Sequence, residues 1–182
     1  MSEDGWQEFK KHVADMAADG EANVEQGQRE AEIAAIATRL DSLKLAAGFT
    51  FEEIRLLAAY LQESAFPAGT VVIQEGRKAN SLAFMEEGVV TIQKEDTGAP
   101  ERHIIDLSRD AVIGEIAFFD NEPRSATVVA KTDVRLLVLT REQFDALAAE
   151  QPQLAIKVLF AVGQVLSRRL RQVTGRFVGL LA

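Results

Sequence analysis

The sequence predicts an α+β fold, mainly β, in which a sandwich or barrel of the jelly-roll type is flanked by helices. Short β-rich runs separated by glycine-containing turns fill the middle of the chain, and helical periodicity occupies both ends. With 182 residues, of which 47% are hydrophobic, the chain can bury a substantial core. We expect a helical N-terminal extension at 1–45, a β-roll with its flanking helices at 46–150, and a long C-terminal helix at 151–182.

Two apolar stripes predict helices within residues 1–44. Their members recur every three or four positions, so each stripe lies on one face of a helix. The first stripe consists of Trp6, Phe9, Val13 and Met16, and the second, after a polar break, consists of Ile33, Ile36, Leu40 and Leu43. Each stripe can pack on its own domain or on a second subunit, and the sequence leaves both arrangements open.

A third helix and the β-region follow. The helix is predicted over residues 49–62, with Thr50 as its cap and Glu53 closing a capping box. The β-rich runs after it are TVVIQ (70–74), SLAFME (81–86), VVTIQKE (89–95), RHIIDL (102–107) and TDVRLLVLT (132–140). Their regular spacing, with glycine turns between them, is typical of a sandwich or barrel.

The helical period returns after the last predicted strand. Thr140 caps a short helix over 141–150, with an acid nearby, and Pro152 suits the first turn of a helix that continues to Val173 or beyond. Seven-residue spacing relates Leu159, Leu166, Val173 and Leu180, with Val162 between the first two. We expect a homodimer through this helix, although Arg169 and Arg176 interrupt the repeat.

Charge is spread unevenly along the chain. The net charge is −8, yet residues 151–182 contain five basic residues and no acid, so residues 1–150 carry 28 acids against 15 bases. The basic tail is either a solvated helix face or an arm for an acidic partner. Because the acidic body would repel nucleic acid, we expect no direct DNA binding.

Composition excludes several classes of protein. No apolar run reaches the roughly 18 residues of a membrane span, and the polar, acidic N-terminus is unlike a secretory signal. The absence of cysteine excludes disulfides, iron–sulfur ligation and thiolate zinc sites. We therefore expect a cytoplasmic protein with no membrane partner. Because His12 and His103 lie in different predicted elements and no nucleophile motif accompanies them, we expect no catalytic residue, no metal site and no cofactor.

The stretch GEIAFFDNEPRSATVVA, residues 114–130, combines groups suited to an anion. Gly114 lets the backbone bend before a single helical turn, whose first amides, those of Ile116 and Ala117, can bind an anion. Arg124 supplies a guanidinium fork that fits two phosphate oxygens. Ser125 adds a hydroxyl donor, and the small Ala126 leaves room beside the phosphate.

Glu115 has the opposite charge preference. A phosphate would repel its carboxylate, so the residue fits a ligand that also presents hydroxyl donors, as a ribose does. The stretch thus offers an acid that can bind a ribose, and it offers an arginine and backbone amides that can bind a phosphate. Together these groups indicate a nucleotide ligand. The alternative is a plain ion pair between Glu115 and Arg124 across the turn.

The same stretch resembles the phosphate-binding cassette of the cyclic-nucleotide-binding domain family, which includes the catabolite activator protein and the regulatory subunits of cyclic-AMP-dependent kinase. The family motif is matched by Gly114, Glu115, Ala117, Pro123, Arg124, Ala126 and Thr127. The resemblance covers roughly residues 46–174. It implies an eight-stranded jelly-roll-like β-roll, with Glu115 on the ribose 2′-hydroxyl and Arg124 on the cyclic phosphate.

The resemblance also implies how the base is held. The purine should rest on aliphatic side chains, for which Ile73 and Ile104 are candidates, and the last helix should close over it as a lid. The lid candidates are Arg169, Leu170, Val173 and Thr174. The chain departs from the pattern in two places. Asp110 and Ala111 replace a frequent Gly-Asp. Ser125 replaces the alanine of many cyclic-AMP sites and the threonine of many cyclic-GMP sites, although the catabolite activator protein also carries serine there.

The sequence therefore predicts a stand-alone bacterial-type sensor that binds a cyclic nucleotide, cAMP rather than cGMP, and moves its C-terminal helix. We expect no helix-turn-helix domain after that helix, and we expect the change to reach a downstream protein partner through the N-terminal helices or the basic tail. The alternative is a degenerate domain of the same fold that acts only as a protein-interaction scaffold.

Overall fold

The computed structural model describes residues 26–96 and 99–181 of the chain. The described part divides into two units: residues 26–35, which are the first turns of helix α1 (26–41), and residues 36–181, which contain both sheets. The predicted stripe of Trp6, Phe9, Val13 and Met16 lies outside the described residues. In the second unit Ile36, Leu40 and Leu43 are buried, as their spacing predicts.

Helices flank a core of short strands. The helices after α1 are a 3-10 helix at Lys44–Gly48, α2 at Phe51–Ala58, α3 at Glu115–Asp120, α4 at Arg141–Glu150 and α5 at Pro152–Leu181. The strands are β1 Gln62–Phe66, β2 Val71–Ile73, β3 Ser81–Glu87, β4 Val89–Asp96, β5 Ala99–Ser108, β6 Val112–Ile113, β7 Thr127–Ala130 and β8 Val134–Thr140.

The strands form two antiparallel sheets of four strands each. The first sheet has the order β1-β8-β3-β6, and the second has the order β2-β7-β4-β5. Alternate side chains of both sheets meet in the core, where Met85, Val90 and Leu136 are almost completely buried. The predicted α+β fold, an eight-stranded jelly-roll-like β-roll with flanking helices, is confirmed.

Both predicted helix caps are present. Thr50 Oγ1 accepts from the Glu53 amide at 3.3 Å while Glu53 Oε2 accepts from the Thr50 amide at 2.7 Å. Thr140 forms the equivalent box with Gln143, and the expected nearby acid is Glu142 in the first turn of α4. The N-terminal ends of α2 and α4 are therefore set by local sequence.

The predicted helix over 49–62 was too long. It ends at Ala58, and Gln62 already pairs with Val138 at the start of β1. β1 is an edge strand with mostly exposed or half-buried side chains, so its sequence QESAF carries little apolar alternation. Strand pairing with β8 decides its conformation.

Helix α5 buries one face and exposes another. Leu154, Val158 and Val162 are buried against the rest of the second unit. Val162, which lies between the heptad-spaced residues Leu159 and Leu166, is therefore buried within its own protomer. Within residues 152–175, the part of α5 whose side chains are described, the exposed large apolar residues are Ile156, Phe160, Leu170 and Val173. None of the helices within residues 26–96 and 99–181 combines the length and apolarity that a bilayer crossing needs.

Candidate functional site

The turn between β6 and α3 requires a glycine. Gly114 has φ +75° and serves as the N-cap of α3, which is the short helix that the sequence predicts there. A Cβ at this position would lie 2.5 Å from Arg124 Nη1 and 2.8 Å from the Ser81 carbonyl oxygen. Both the left-handed backbone and the contact with Arg124 therefore exclude a side chain.

Arg124 is buried and held by oxygen acceptors. Its Nη1 donates to the carbonyl oxygens of Gly114 at 2.7 Å and Ser81 at 2.8 Å, and its Nη2 donates to Ser81 Oγ at 2.9 Å. Burial lowers the pKa of Arg124, and the nearby Glu115 carboxylate opposes that shift. Only 6% of the residue is exposed, so the guanidinium is a fixed donor group rather than a mobile surface charge.

Glu115 pairs with α5 rather than with Arg124. Its Oε1 accepts from Arg169 Nη1 at 3.0 Å, and Arg169 Nη2 donates to the Val112 carbonyl oxygen. The alternative of a direct ion pair between Glu115 and Arg124 is therefore wrong. Among the residues that the structure describes, Glu115 Oε2 has no hydrogen-bond donor, so one carboxylate oxygen is left for another group.

A cavity of about 420 Å³ lies beside these groups, and most of the predicted site residues line it. From the cassette come Gly114, Glu115, Ile116, Ala117, Arg124, Ser125 and Ala126. From the strands and α5 come Ile73, Ile104, Arg169 and Val173. The cavity is therefore lined by one carboxylate, by two guanidinium groups and mainly by aliphatic side chains.

Three predicted residues do not line this cavity. Thr127 is buried at the start of β7, where its Oγ1 accepts from the Glu75 amide at 3.1 Å. It therefore fixes the end of β2 beside the cassette. Leu170 and Thr174 lie on exposed positions of α5.

Several residues at the site escaped the sequence analysis. Four further aliphatic residues line the cavity: Ile92, Ile105, Ile113 and Val128. Lys94 Nζ braces the cassette from β4, because it donates to the Ser125 carbonyl oxygen at 2.7 Å and to Glu75 Oε1 at 2.5 Å. The only signal for the aliphatic set is strand alternation, which does not distinguish a cavity wall from ordinary core.

Comparisons with known proteins agree with this fold. A family model for the cyclic nucleotide-binding domain matches residues 63–151. The Cyclic AMP receptor protein of Thermus thermophilus is 31% identical over 125 residues, which are 69% of this chain and 56% of that protein. The cAMP-dependent protein kinase regulatory subunit of Aspergillus fumigatus is 35% identical over 91 residues, which are 50% of this chain and 21% of that protein. The chain thus spans about half or less of the length of these curated relatives.

A solved structure extends the comparison to nearly the whole fold. The crystal structure of a cyclic nucleotide-binding domain from Methylobacillus flagellatus has a TM-score of 0.72 and 30% sequence identity to this chain. The alignment covers 82% of this chain and 84% of that one. The chain belongs to the cyclic nucleotide-binding domain family, as the cassette motif predicts.

Proposed function

We propose that this chain is a receptor for a cyclic nucleotide, cAMP in preference to cGMP, and that ligand binding alters the position of α5. The observation that carries the proposal is the cavity, which is lined by Arg124, by Glu115 with its partner Arg169, and mainly by aliphatic side chains elsewhere. This arrangement matches a ligand with a charged phosphate, a hydroxylated sugar and an apolar base.

The phosphate end of the proposed site is preorganised. Arg124 already faces the cavity with its guanidinium fixed by Ser81 and Gly114. The amides of Ile116 and Ala117 lie in the first turn of α3, where no intrahelical acceptor is available to them. A phosphate placed there would receive charge-assisted hydrogen bonds without the cost of ordering the side chain.

The ribose end connects the ligand to α5. Arg169 holds Oε1 of Glu115, so in this proposal Oε2 accepts the 2′-hydroxyl. One carboxylate would then contact the ligand and α5 together. Because Arg169 also donates to the Val112 carbonyl oxygen, the ligand would stabilise the attachment of α5 to β6.

The preference for cAMP is supported by the relatives. The two curated relatives reported above carry cyclic AMP or its abbreviation in their names. In this chain the base would rest on Ile73 and Ile104, with Val173 covering it from α5.

Calorimetric titration with cAMP, cGMP, 2′-deoxy-cAMP and linear AMP tests the proposal. We expect one site per chain, tightest binding for cAMP and none for linear AMP. In Glu115→Ala, cAMP should lose more affinity than 2′-deoxy-cAMP, since only the former donates to the carboxylate. Absence of binding by every cyclic nucleotide would overturn the proposal and favour the scaffold alternative.

A further inference from the structure

A second cavity lies at the edge of the sandwich, where the edge strands β1 and β2 and the side chain of Arg124 contribute to its lining. Its volume is about 580 Å³, within the roughly 300–1,000 Å³ that is usual for small-molecule sites. β1, β8 and β3 line it from the first sheet, while the second sheet contributes β2 and the residues just after it.

The cavity exists because β2 is short and irregular. The strand has three residues, and its pairing with β7 shifts register between Val71 and Ile73. It therefore covers little of the first sheet. Phe66 and Val138 of that sheet pack against the core but stay only partly buried, as does Val72 on β2. Their apolar surface is available to an apolar ligand.

The rim of this cavity carries a cation. Arg77 is exposed and lines the cavity, and among the described residues its guanidinium has no ion-pair or hydrogen-bond partner. The Arg77 carbonyl oxygen accepts from the Arg124 amide at 3.0 Å, which fixes the loop at this point. A guanidinium fork beside an apolar wall suits a carboxylate joined to an apolar chain.

We propose that this cavity is a second binding site, for an amphipathic small molecule with an apolar chain and a carboxylate head. The chain would cover Phe66, Val72 and Val138, and the carboxylate would pair with Arg77. The site is separate from the proposed nucleotide cavity and does not rest on its function.

The two cavities share a wall, so an experiment must distinguish them. Ile73, Ile113 and Arg124 line both. Ala79 is exposed and lines only the second cavity, whereas Ser125 is exposed and lines only the first. Tryptophan at either position would fill one cavity and leave the other open.

The test is calorimetric titration of the full chain with decanoate. We expect binding to weaken at least about tenfold in Ala79→Trp and to persist in Ser125→Trp. Arg77→Ala should weaken binding several-fold, whereas Lys78→Ala, the exposed neighbouring cation, should not. Thermal melting followed by circular dichroism checks that each variant folds. If Ala79→Trp does not fold, the comparison of Arg77→Ala with Lys78→Ala tests the proposal instead.

Three results would overturn the proposal. The first is the absence of decanoate binding to the unmodified chain. The second is loss of binding in Ser125→Trp with retention in Ala79→Trp, which would place the ligand in the first cavity. The third is equal weakening by Arg77→Ala and Lys78→Ala, which would indicate a diffuse charge effect.

Discussion

At the scale of single residues, the site depends on the contact between a glycine and an arginine. Arg124 can lie against the turn because Gly114 has no side chain and adopts φ +75°. In return, the guanidinium satisfies the Gly114 carbonyl oxygen at 2.7 Å. The backbone turn and the charged group therefore stabilise one another, and a change in either should affect both.

Gly114→Ala tests this dependence. The new Cβ would meet Arg124 and Ser81 in a backbone conformation that alanine rarely adopts. We expect the free energy of unfolding to fall by about 1–3 kcal/mol, measured by urea denaturation. Gly163→Ala is the control, because this glycine lies in α5 with nothing within 4 Å of a new Cβ. There we expect no loss, or a gain of up to about 1 kcal/mol; equal losses in the two variants would contradict the argument.

At the scale of elements, α5 reaches the site through Arg169. Arg169→Ala removes the donor that orients Glu115, so we expect several-fold weaker binding of cAMP and a smaller effect on 2′-deoxy-cAMP. Hydrogen exchange of α5 amides should slow on cAMP binding in the unmodified chain and respond less in the variant. Arg168→Ala is the matched control, because Arg168 does not line the first cavity. Equal effects of the two substitutions would refute the proposed connection.

A buried carboxylate connects α1 to β3. Only 3% of Glu86 is exposed. Its Oε1 lies 3.1 Å from Arg39 Nε. Its Oε2 has no hydrogen-bond partner among the described residues. Burial raises the pKa of Glu86 above its ordinary value of 4.5, against the attraction of Arg39. Because the pKa of Glu86 is higher in the folded state than in the unfolded state, the folded state binds the proton more tightly. This proton binding stabilises the fold fully at a pH below the unfolded-state pKa. The contribution is lost as the pH rises through the folded-state pKa.

Glu86→Gln should therefore be compared with the unmodified chain by urea denaturation at several pH values. As the pH rises above the ordinary value of 4.5, the stability of the unmodified chain should fall relative to that of the variant. Glu87→Gln, at the exposed neighbour paired with Arg135, is the control for loss of a nearby carboxylate. A difference between unmodified chain and Glu86→Gln that is constant or changes in the opposite direction would contradict the assignment.

The elements also show how far sequence reasoning reaches. Local signals predicted three features. The glycine turns predicted the β-roll, the capping box at Thr50 predicted α2, and the cassette motif predicted the turn at Gly114. β1 was missed because QESAF is a polar edge strand whose conformation depends on β8, more than 60 residues later in the chain. Two contacts at the site join segments that are distant in the sequence, so no local pattern predicts them. They are the pairing of Glu115 with Arg169 and the hydrogen bond from Arg124 to Ser81 Oγ.

At the scale of the whole molecule, the exposed face of α5 is available for contact with a second copy of the chain. The predicted homodimer would bury Ile156 and Phe160, which are 53% and 71% exposed. Phe160→Glu would place a charge in such an interface, so we expect sedimentation velocity to show a dimer for the unmodified chain and a monomer for the variant. Phe51→Glu, at a phenylalanine of 69% exposure on α2, is the control and should stay dimeric. A monomeric unmodified chain would contradict the prediction.

Recognition of a cyclic-nucleotide phosphate by Arg124 can be tested by calorimetric titration with cAMP. The proteins to compare are the unmodified chain, Arg124→Leu, Arg124→Lys and Arg77→Leu. We predict no detectable binding by Arg124→Leu, and affinity lower by roughly 10- to 100-fold in Arg124→Lys, which keeps the charge but loses the fork. Arg77→Leu, at an exposed arginine outside the first cavity, should bind as the unmodified chain does. Undiminished affinity in a folded Arg124→Leu protein would contradict the role of Arg124 in binding the phosphate.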